Sequence, residues 1–273
     1  MTNISRPKMT VPMLVQRKAE QGRLSMVTAY DATFASIVDA GGVDLILVGD
    51  SVATVMQGQK NTLGVSMDEM AYHVRLVAAT QPKALIVGDM PFGSYQSSSV
   101  DAVDNAVRLV KAGAEIVKLE GGIFVQDAIS SITNADIPVM GHIGLTPQSY
   151  HRMGGNKIQG RSEGDNAGSR SRLIADALAV EEAGACALVI EGVPAELAQE
   201  ITATLTIPTI GIGAGVHCDG QVLVMHDLLG LSERTFTFAK AYTNFRSLAQ
   251  QAVAEYVAEV SNGSWPDEQH SFH

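Results

Sequence analysis

Residues able to move protons or hold hard cations recur at one kind of place in this chain, the end of a short apolar run. Asp50 follows Leu-Ile-Leu-Val-Gly, and Asp89 follows Leu-Ile-Val-Gly. Lys118 and Glu120 close Ile-Val-Lys-Leu-Glu, His142 ends Val-Met-Gly-His, Glu191 ends Leu-Val-Ile-Glu, and Asp227 follows the last run. A buried charge is costly unless it is paired or metal-bound, so the recurrence argues for one shared site. Each carboxylate alone could instead cap the helix that follows. Several carboxylates with one lysine favour the shared site, since unpaired like charges repel. Oxygen donors with no thiolate or multi-histidine set suit Mg²⁺ better than Zn²⁺. His142 by itself reads more readily as a supporting histidine than as a ligand. Cys186 reads as a core residue, and His217-Cys218-Asp219 as a loop that only resembles a metal cluster.

The apolar runs predict eight strands: 24–30, 44–49, 84–89, 116–121, 138–143, 187–192, 208–213 and 222–226. Most are rich in Val, Ile and Leu without polar alternation, as strands buried on both faces are. Lys118 and Glu120 lie two apart and so share one side of their strand. Helical patterns fall between the runs. Ser66-Met-Asp-Glu69 is a capping box, 101–111 and 173–183 carry apolar stripes, and Pro194 suits a first helical turn. Ala40-Gly-Gly42, Ala112-Gly-Ala114 and Ala183-Gly-Ala185 place glycine where helices end before strands begin. Eight βα units in 273 residues fit a (β/α)8 barrel. The same alternation also allows a doubly wound open sheet, but eight strands exceed its usual count. The expected organisation is one barrel domain over 1–273, with an extra helix near 10–22, a last helix near 243–260 and a loose tail over 262–273. Chemistry then belongs at the strand C-termini.

Composition narrows the partners. The chain carries 19 basic and 29 acidic residues, a net charge of −10, which disfavours nucleic-acid binding through phosphate neutralisation. Two cysteines cannot build a disulfide framework or a structural zinc site. The first ten residues lack a leader's apolar run, and no stretch has the length of a membrane helix. A cytoplasmic location with no membrane partner is expected. Gly211-Ile-Gly-Ala-Gly215 is a weak dinucleotide signal that reads better as small residues at the barrel mouth, with phosphate binding a further option. The segment 154–161, carrying Lys157 and Arg161, reads equally as a lid, an anion clamp or a solvated connection.

Nine ordered segments together resemble the ketopantoate hydroxymethyltransferase family. They are Thr28-Ala-Tyr-Asp31, Val48-Gly-Asp-Ser51, Gly88-Asp-Met-Pro-Phe-Gly93, Lys118-Leu-Glu-Gly-Gly122, Gly141-His-Ile-Gly-Leu-Thr-Pro-Gln148, 154–161, Glu191-Gly-Val-Pro194, 210–215 and 219–227. The resemblance implies a (β/α)8 barrel of the phosphoenolpyruvate/pyruvate type. It also implies Mg²⁺, 5,10-methylenetetrahydrofolate as one-carbon donor, 3-methyl-2-oxobutanoate (2-oxoisovalerate) as acceptor, a place in pantothenate biosynthesis, and a homodecamer. By motif, Asp50, Asp89 and Glu120 would hold the metal, Glu120 directly or through water. Asp50, Ser51, Asp89, Lys118 and His142 would line the oxoacid pocket, and Glu191 would be the catalytic base. Gly192, where many relatives carry cysteine, and a missing proline in 235–240 depart from the pattern.

Such a site suits enolate chemistry. A divalent cation chelated by a 2-oxoacid stabilises charge on the ketone oxygen, a carboxylate such as Glu191 removes the adjacent proton, and Lys118 supplies a cation near the oxyanion. The enolate then attacks the folate-borne methylene. Folate's glutamate tail would find a basic anchor in Lys157 and Arg161. Two rival readings share the cradle. An isocitrate lyase-like enzyme would need a cysteine-bearing catalytic loop, which is not evident. An oxoacid sensor would have no need of Glu191.

Overall fold

In a computed structural model of the chain, described over residues 6–233 and 236–272, eight parallel strands close into a barrel in sequence order. The start of the segment read for a leader and the last residue of the tail lie outside the described residues. The strands are β1 (Leu24–Thr28), β2 (Leu45–Val48), β3 (Leu85–Asp89), β4 (Ile116–Glu120), β5 (Val139–Gly144), β6 (Ala187–Glu191), β7 (Thr209–Ile212) and β8 (Gly220–Leu223). The helices are α1 (Val11–Ala19), α2 (Ala32–Ala40), α3 (Val52–Val55), α4 (Met67–Ala78), α5 (Ser99–Ala112), α6 (Gln126–Asn134), α7 (Tyr150–Met153), α8 (Arg170–Glu182), α9 (Ala195–Thr204), α10 (Met225–Leu228) and α11 (Phe245–Asn262). The chain divides into two compact units, Met1–Val224 and Met225–His273.

Period-two alternation decides what the barrel interior contains. Leu24 and Met26, Leu45 and Leu47, Leu85 and Val87, Ile116, Met140, Ala187 and Val189, Ile210 and Val222 form one buried cluster. Extending the same parity along the strands reaches Asp89 on β3, Lys118 and Glu120 on β4, His142 on β5 and Glu191 on β6. The lower interior is therefore apolar, and the C-terminal layer is ionisable. Met9 and Leu14 join the cluster from below. There Met9 N–H donates to Lys83 O and Lys18 Nζ to Asp219 Oδ2, so α1 closes the strands' N-terminal ends.

The outer helices are set by local chemistry. Ser66 and Glu69 cap α4 reciprocally, and Asp31, Ser98 and Ser169 accept from the first turns of α2, α5 and α8. Each satisfies an amide that the helix leaves unpaired.

The eighth strand departs from expectation. The run 222–226 predicts a strand there, but β8 spans Gly220–Leu223 and Met225 opens α10. Gly220 pairs with both Leu24 and Ile210. A Cβ at that position would meet the Leu24 carbonyl oxygen at 2.7 Å and Ile210 Cδ1 at 2.6 Å. Only glycine fits there, so closure of the barrel outweighs the apolar run's own preference. Asp227 consequently sits in α10, not at a strand end, and accepts from Ser232 Oγ at 2.6 Å. Within the second unit, Asn244 caps α11 through Ser247 N–H. In the segment expected to be loose, Trp265 packs on His270 with ring centres 4.5 Å apart, and Asp267 accepts from the Gln269 and His270 amides.

Candidate active site

Strand register brings the ionisable residues together in pairs. Asp89 on β3 faces Lys118 on β4, and Glu120 on β4 faces His142 on β5. Lys118 Nζ lies 3.0 Å from Asp89 Oδ1 and 3.3 Å from His142 Nδ1. His142 Nδ1 lies 3.5 Å from Glu120 Oε1, and its Nε2 lies 3.2 Å from Glu191 Oε2. Asp50 joins through its backbone, whose N–H donates to Asp89 Oδ2 at 3.0 Å. The result is one chain of contacts from Asp50 through Asp89, Lys118 and His142 to Glu191, with Glu120 beside it. Asp50, Asp89, Lys118, Glu120 and His142 are all buried. Glu191, with its side chain 19% exposed, is the most open of the group. Ser51 starts α3, with its hydroxyl 2.8 Å from Tyr30 Oη.

The backbone around Glu191 is fixed by a glycine. Gly144 pairs with Glu191 and holds φ at +94°, and a Cβ there would lie 2.2 Å from the Glu191 carbonyl oxygen. No larger residue fits without moving Glu191.

Electrostatics tie the group together. Burial, with repulsion from Glu120 and Asp89, pushes the Asp50 carboxyl up to about 8, against the opposing Lys118 charge and the Gln148 hydrogen bond. Burial also raises Asp89, despite Lys118. Burial disfavours the Lys118 ammonium, but Asp89, Glu120 and Asp50 outweigh it and hold the group above its ordinary range. His142 is opposed by burial and by Lys118. The Glu120 carboxylate, 3.5 Å from Nδ1, and the Glu191 carboxylate, 3.2 Å from Nε2, nevertheless lift it to about 9.

Four carboxyl groups thus crowd around Lys118 and His142, and a dication would relieve the repulsion that raises Asp50 and Asp89. Asp89 Oδ1 is buried and, although ion-paired with Lys118, receives no aligned hydrogen bond. It therefore retains lone pairs for a metal. Among the described residues, no three His, Cys, Asp or Glu side chains are grouped to hold an ion by themselves. Mg²⁺ does not require such a cage, because it takes one or two carboxylates and completes its shell with substrate and water. Asp50 and Asp89 fit that role. Glu120 fits an outer one, since its Oε2 accepts from Gln148 N–H at 2.9 Å and its Oε1 faces His142.

Gln148, Tyr95 and Tyr30 complete the site and carry no charge to announce them. Gln148 Nε2 donates to Asp50 Oδ2 and to Met90 O, each at 3.0 Å, and its Oε1 accepts from Tyr95 Oη at 2.6 Å. Tyr95 Oη accepts from Glu120 N–H at 3.0 Å. One amide side chain thereby fixes the orientation of Asp50. Gln148→Ala should weaken Mg²⁺ activation by roughly tenfold or more, the usual cost of losing a group that orients a metal ligand; a Mg²⁺ titration of the rate measures it, and an unchanged midpoint would contradict the assignment.

Other candidates resolve differently. Gly211 makes room for Cys218, and Gly215, at φ +80°, for Ala195, so the glycine run serves packing. Asp219 Oδ2 accepts from Thr209 N–H and Lys18 Nζ, a structural tie. The 154–161 segment is fastened at its end by Gln159 N–H to Gly192 O at 2.9 Å and by Gly160 N–H to Gly168 O at 2.7 Å, while Lys157 and Arg161 stand exposed. Burial raises both thiols, Cys186 to about 12. Thiolate is the reactive form, so neither cysteine should be alkylated by iodoacetamide at pH 8 until the protein unfolds. Rapid labelling, read by mass spectrometry, would overturn this.

A family model described as ketopantoate hydroxymethyltransferase matches residues 8–268. The chain is 53% identical over 269 residues to the 3-methyl-2-oxobutanoate hydroxymethyltransferase of Pelobacter propionicus, covering 98% of each. It is 55% identical over 267 residues to that of Geobacter metallireducens, covering 97% of this chain and 98% of that one. Among solved structures, phosphoenolpyruvate phosphomutase from Streptomyces platensis subsp. rosaceus aligns with a TM-score of 0.64 at 14% identity, over 97% of this chain and 92% of that one. At that identity the likeness is one of fold.

Proposed function

The chain belongs to the ketopantoate hydroxymethyltransferase family, and from that membership we propose how its own residues carry the reaction. It transfers a hydroxymethyl group to 3-methyl-2-oxobutanoate, a step of pantothenate biosynthesis. The observation that carries the mechanism is the unbroken series of contacts linking two buried carboxyl groups, a lysine and a histidine to the more open Glu191.

Asp50 and Asp89 would hold Mg²⁺, with Glu120 beside them, and the ion would supply Lewis-acid polarisation of the oxoacid ketone that makes C3–H acidic. Glu191 Oε2 takes that proton. His142 Nε2, 3.2 Å from the same oxygen, fixes the carboxylate's direction. The Lys118 ammonium, which Asp89 holds 3.0 Å away, faces the ketone oxygen as negative charge develops there. C3 then bonds the one-carbon unit delivered by 5,10-methylenetetrahydrofolate. Water supplies the product hydroxyl, and tetrahydrofolate leaves. Ser51, held by Tyr30, orients the oxoacid carboxylate.

Stripping the enzyme with EDTA should abolish folate-dependent turnover, and Mg²⁺ should restore it. A full rate in the stripped enzyme would overturn the metal assignment, and release of a small acid without folate would favour a lyase. A homo-oligomer, a decamer in the fullest form, also fits the second unit. Along α11, Val253, Tyr256, Val257 and Val260 are exposed at the spacing of a single helical stripe. Light scattering measures the assembly.

A further inference from the structure

Outside the ionisable cluster, the loops after β4 and β5 and the first turns of α8 enclose a cavity of about 50 Å³. Helix α8 approaches this closely because Gly122 has no side chain; a Cβ there would lie 2.1 Å from Asp176 Cβ. One wall is Arg172. Its Nε donates to Asp176 Oδ1 at 3.1 Å, and its guanidinium carbon lies 4.6 Å from the centre of the Phe124 ring. Its Nη2 is buried and has no hydrogen-bond partner among the described residues. Arg152 stands on the same lining and donates to Ser149 Oγ at 3.2 Å. Asp176 Oδ1 is already shared between Arg172 and the Ile123 amide. Two guanidiniums therefore face one engaged carboxylate, and the cavity favours an anion.

A buried cationic donor left unpaired is unfavourable, so its natural complement is a ligand oxygen. The volume admits a carboxylate group or a few waters and excludes a bicyclic ring. Directly beside it, Phe124 is 82% exposed, with one face on the guanidinium and the other towards solvent. An anion pocket next to a solvent-facing aromatic ring fits a ligand in which a carboxylate is linked to an aryl group. The cavity adjoins the reacting residues, because Gly121 follows Glu120 and Gly144 lies two beyond His142. We propose that this cavity receives a glutamate carboxylate of the folate co-substrate on Arg172 and Arg152, with the p-aminobenzoyl ring on Phe124. The assignment rests on the folate-dependent reading above. It places the anchor in a built cavity and not on the exposed Lys157 and Arg161.

The test compares Phe124→Ala and Arg172→Gln with the loop variant Lys157→Ala/Arg161→Ala. In the first two, KM for 5,10-methylenetetrahydrofolate should rise about tenfold, the scale of one charge-assisted contact, while KM for 3-methyl-2-oxobutanoate stays at its wild-type value. The fragment p-aminobenzoylglutamate should compete with folate in the wild type and bind correspondingly less well to both variants. A donor lacking the glutamate should show equal KM in wild type and Arg172→Gln. Phe124 is exposed, so its variant keeps the test open if Arg172→Gln perturbs α8. An unchanged folate KM in Phe124→Ala and Arg172→Gln, or a rise confined to the loop variant, would overturn the subsite. Absence of folate-dependent turnover in the wild type would overturn the reading beneath it as well.

Discussion

In Glu191→Gln, exchange of the C3 proton of 3-methyl-2-oxobutanoate for deuterium should fall by about 10²–10⁴-fold, the usual contribution of a positioned general base. The amide matches the carboxylate in shape but cannot accept the proton. Asp50, Asp89 and Lys118 are untouched, so oxoacid binding should stay near its wild-type strength. This separation of binding from proton removal is what the geometry predicts, because Glu191 meets the rest of the cluster at His142 Nε2, at the end of the series. Proton NMR of the substrate in D₂O follows the exchange without folate, and calorimetric titration follows binding. Exchange at the wild-type rate would remove Glu191 from the role of base and transfer the search to another group at the mouth.

In Lys118→Met, the expected effect is on folding as much as on rate. The ammonium is buried among Asp89, Glu120 and Asp50. Removing one partner from such a group leaves uncompensated buried charge and costs about 3–5 kcal/mol, which for a domain of this size lowers Tm by roughly 10 °C. The direction of the pH dependence follows from Asp50. Burial and its neighbours lift that carboxyl from 3.8 to about 8 in the fold. A raised folded value contributes stability that is fully present below the unfolded value, near 4, and is lost as pH climbs through about 8. Metal-free wild type should therefore lose stability across that window. Lys118→Met, lacking the charge that moderates the repulsion, should lose it more steeply. Mg²⁺ should recover part of the loss in both, because an ion that binds only the folded site stabilises it. Thermal melts across pH 4–8 with EDTA or Mg²⁺ measure this. A variant melting with the wild type at every pH would show that the cluster carries no electrostatic strain.

Much of the site was legible from residue type and position. An ionisable side chain in place of the next apolar one, at the end of a run of Val, Ile and Leu, is conspicuous because burying charge is unfavourable. Asp50, Asp89, Lys118, Glu120, His142 and Glu191 all stood out on that ground. The barrel was legible from eight repeats of one local pattern. Gln148 and Tyr95 were not, because neutral polar side chains in loops are common and nothing local marks the one amide that will reach Asp50. Arg172 was hidden for a related reason: an arginine opening a surface helix looks solvated until Phe124 and Asp176 are seen to enclose it.

The sequence by itself determined the alternation of strand and helix, the apolar interior and the identity of the charged groups, since these depend on period and on the cost of burial over a few residues. Only the tertiary structure decided which charges are neighbours, where β8 begins and what a loop residue touches. Register across a closed barrel joins positions tens of residues apart. Asp89 meets Lys118 and Glu120 meets His142 because all eight strands must pair at once, a condition that no short segment contains.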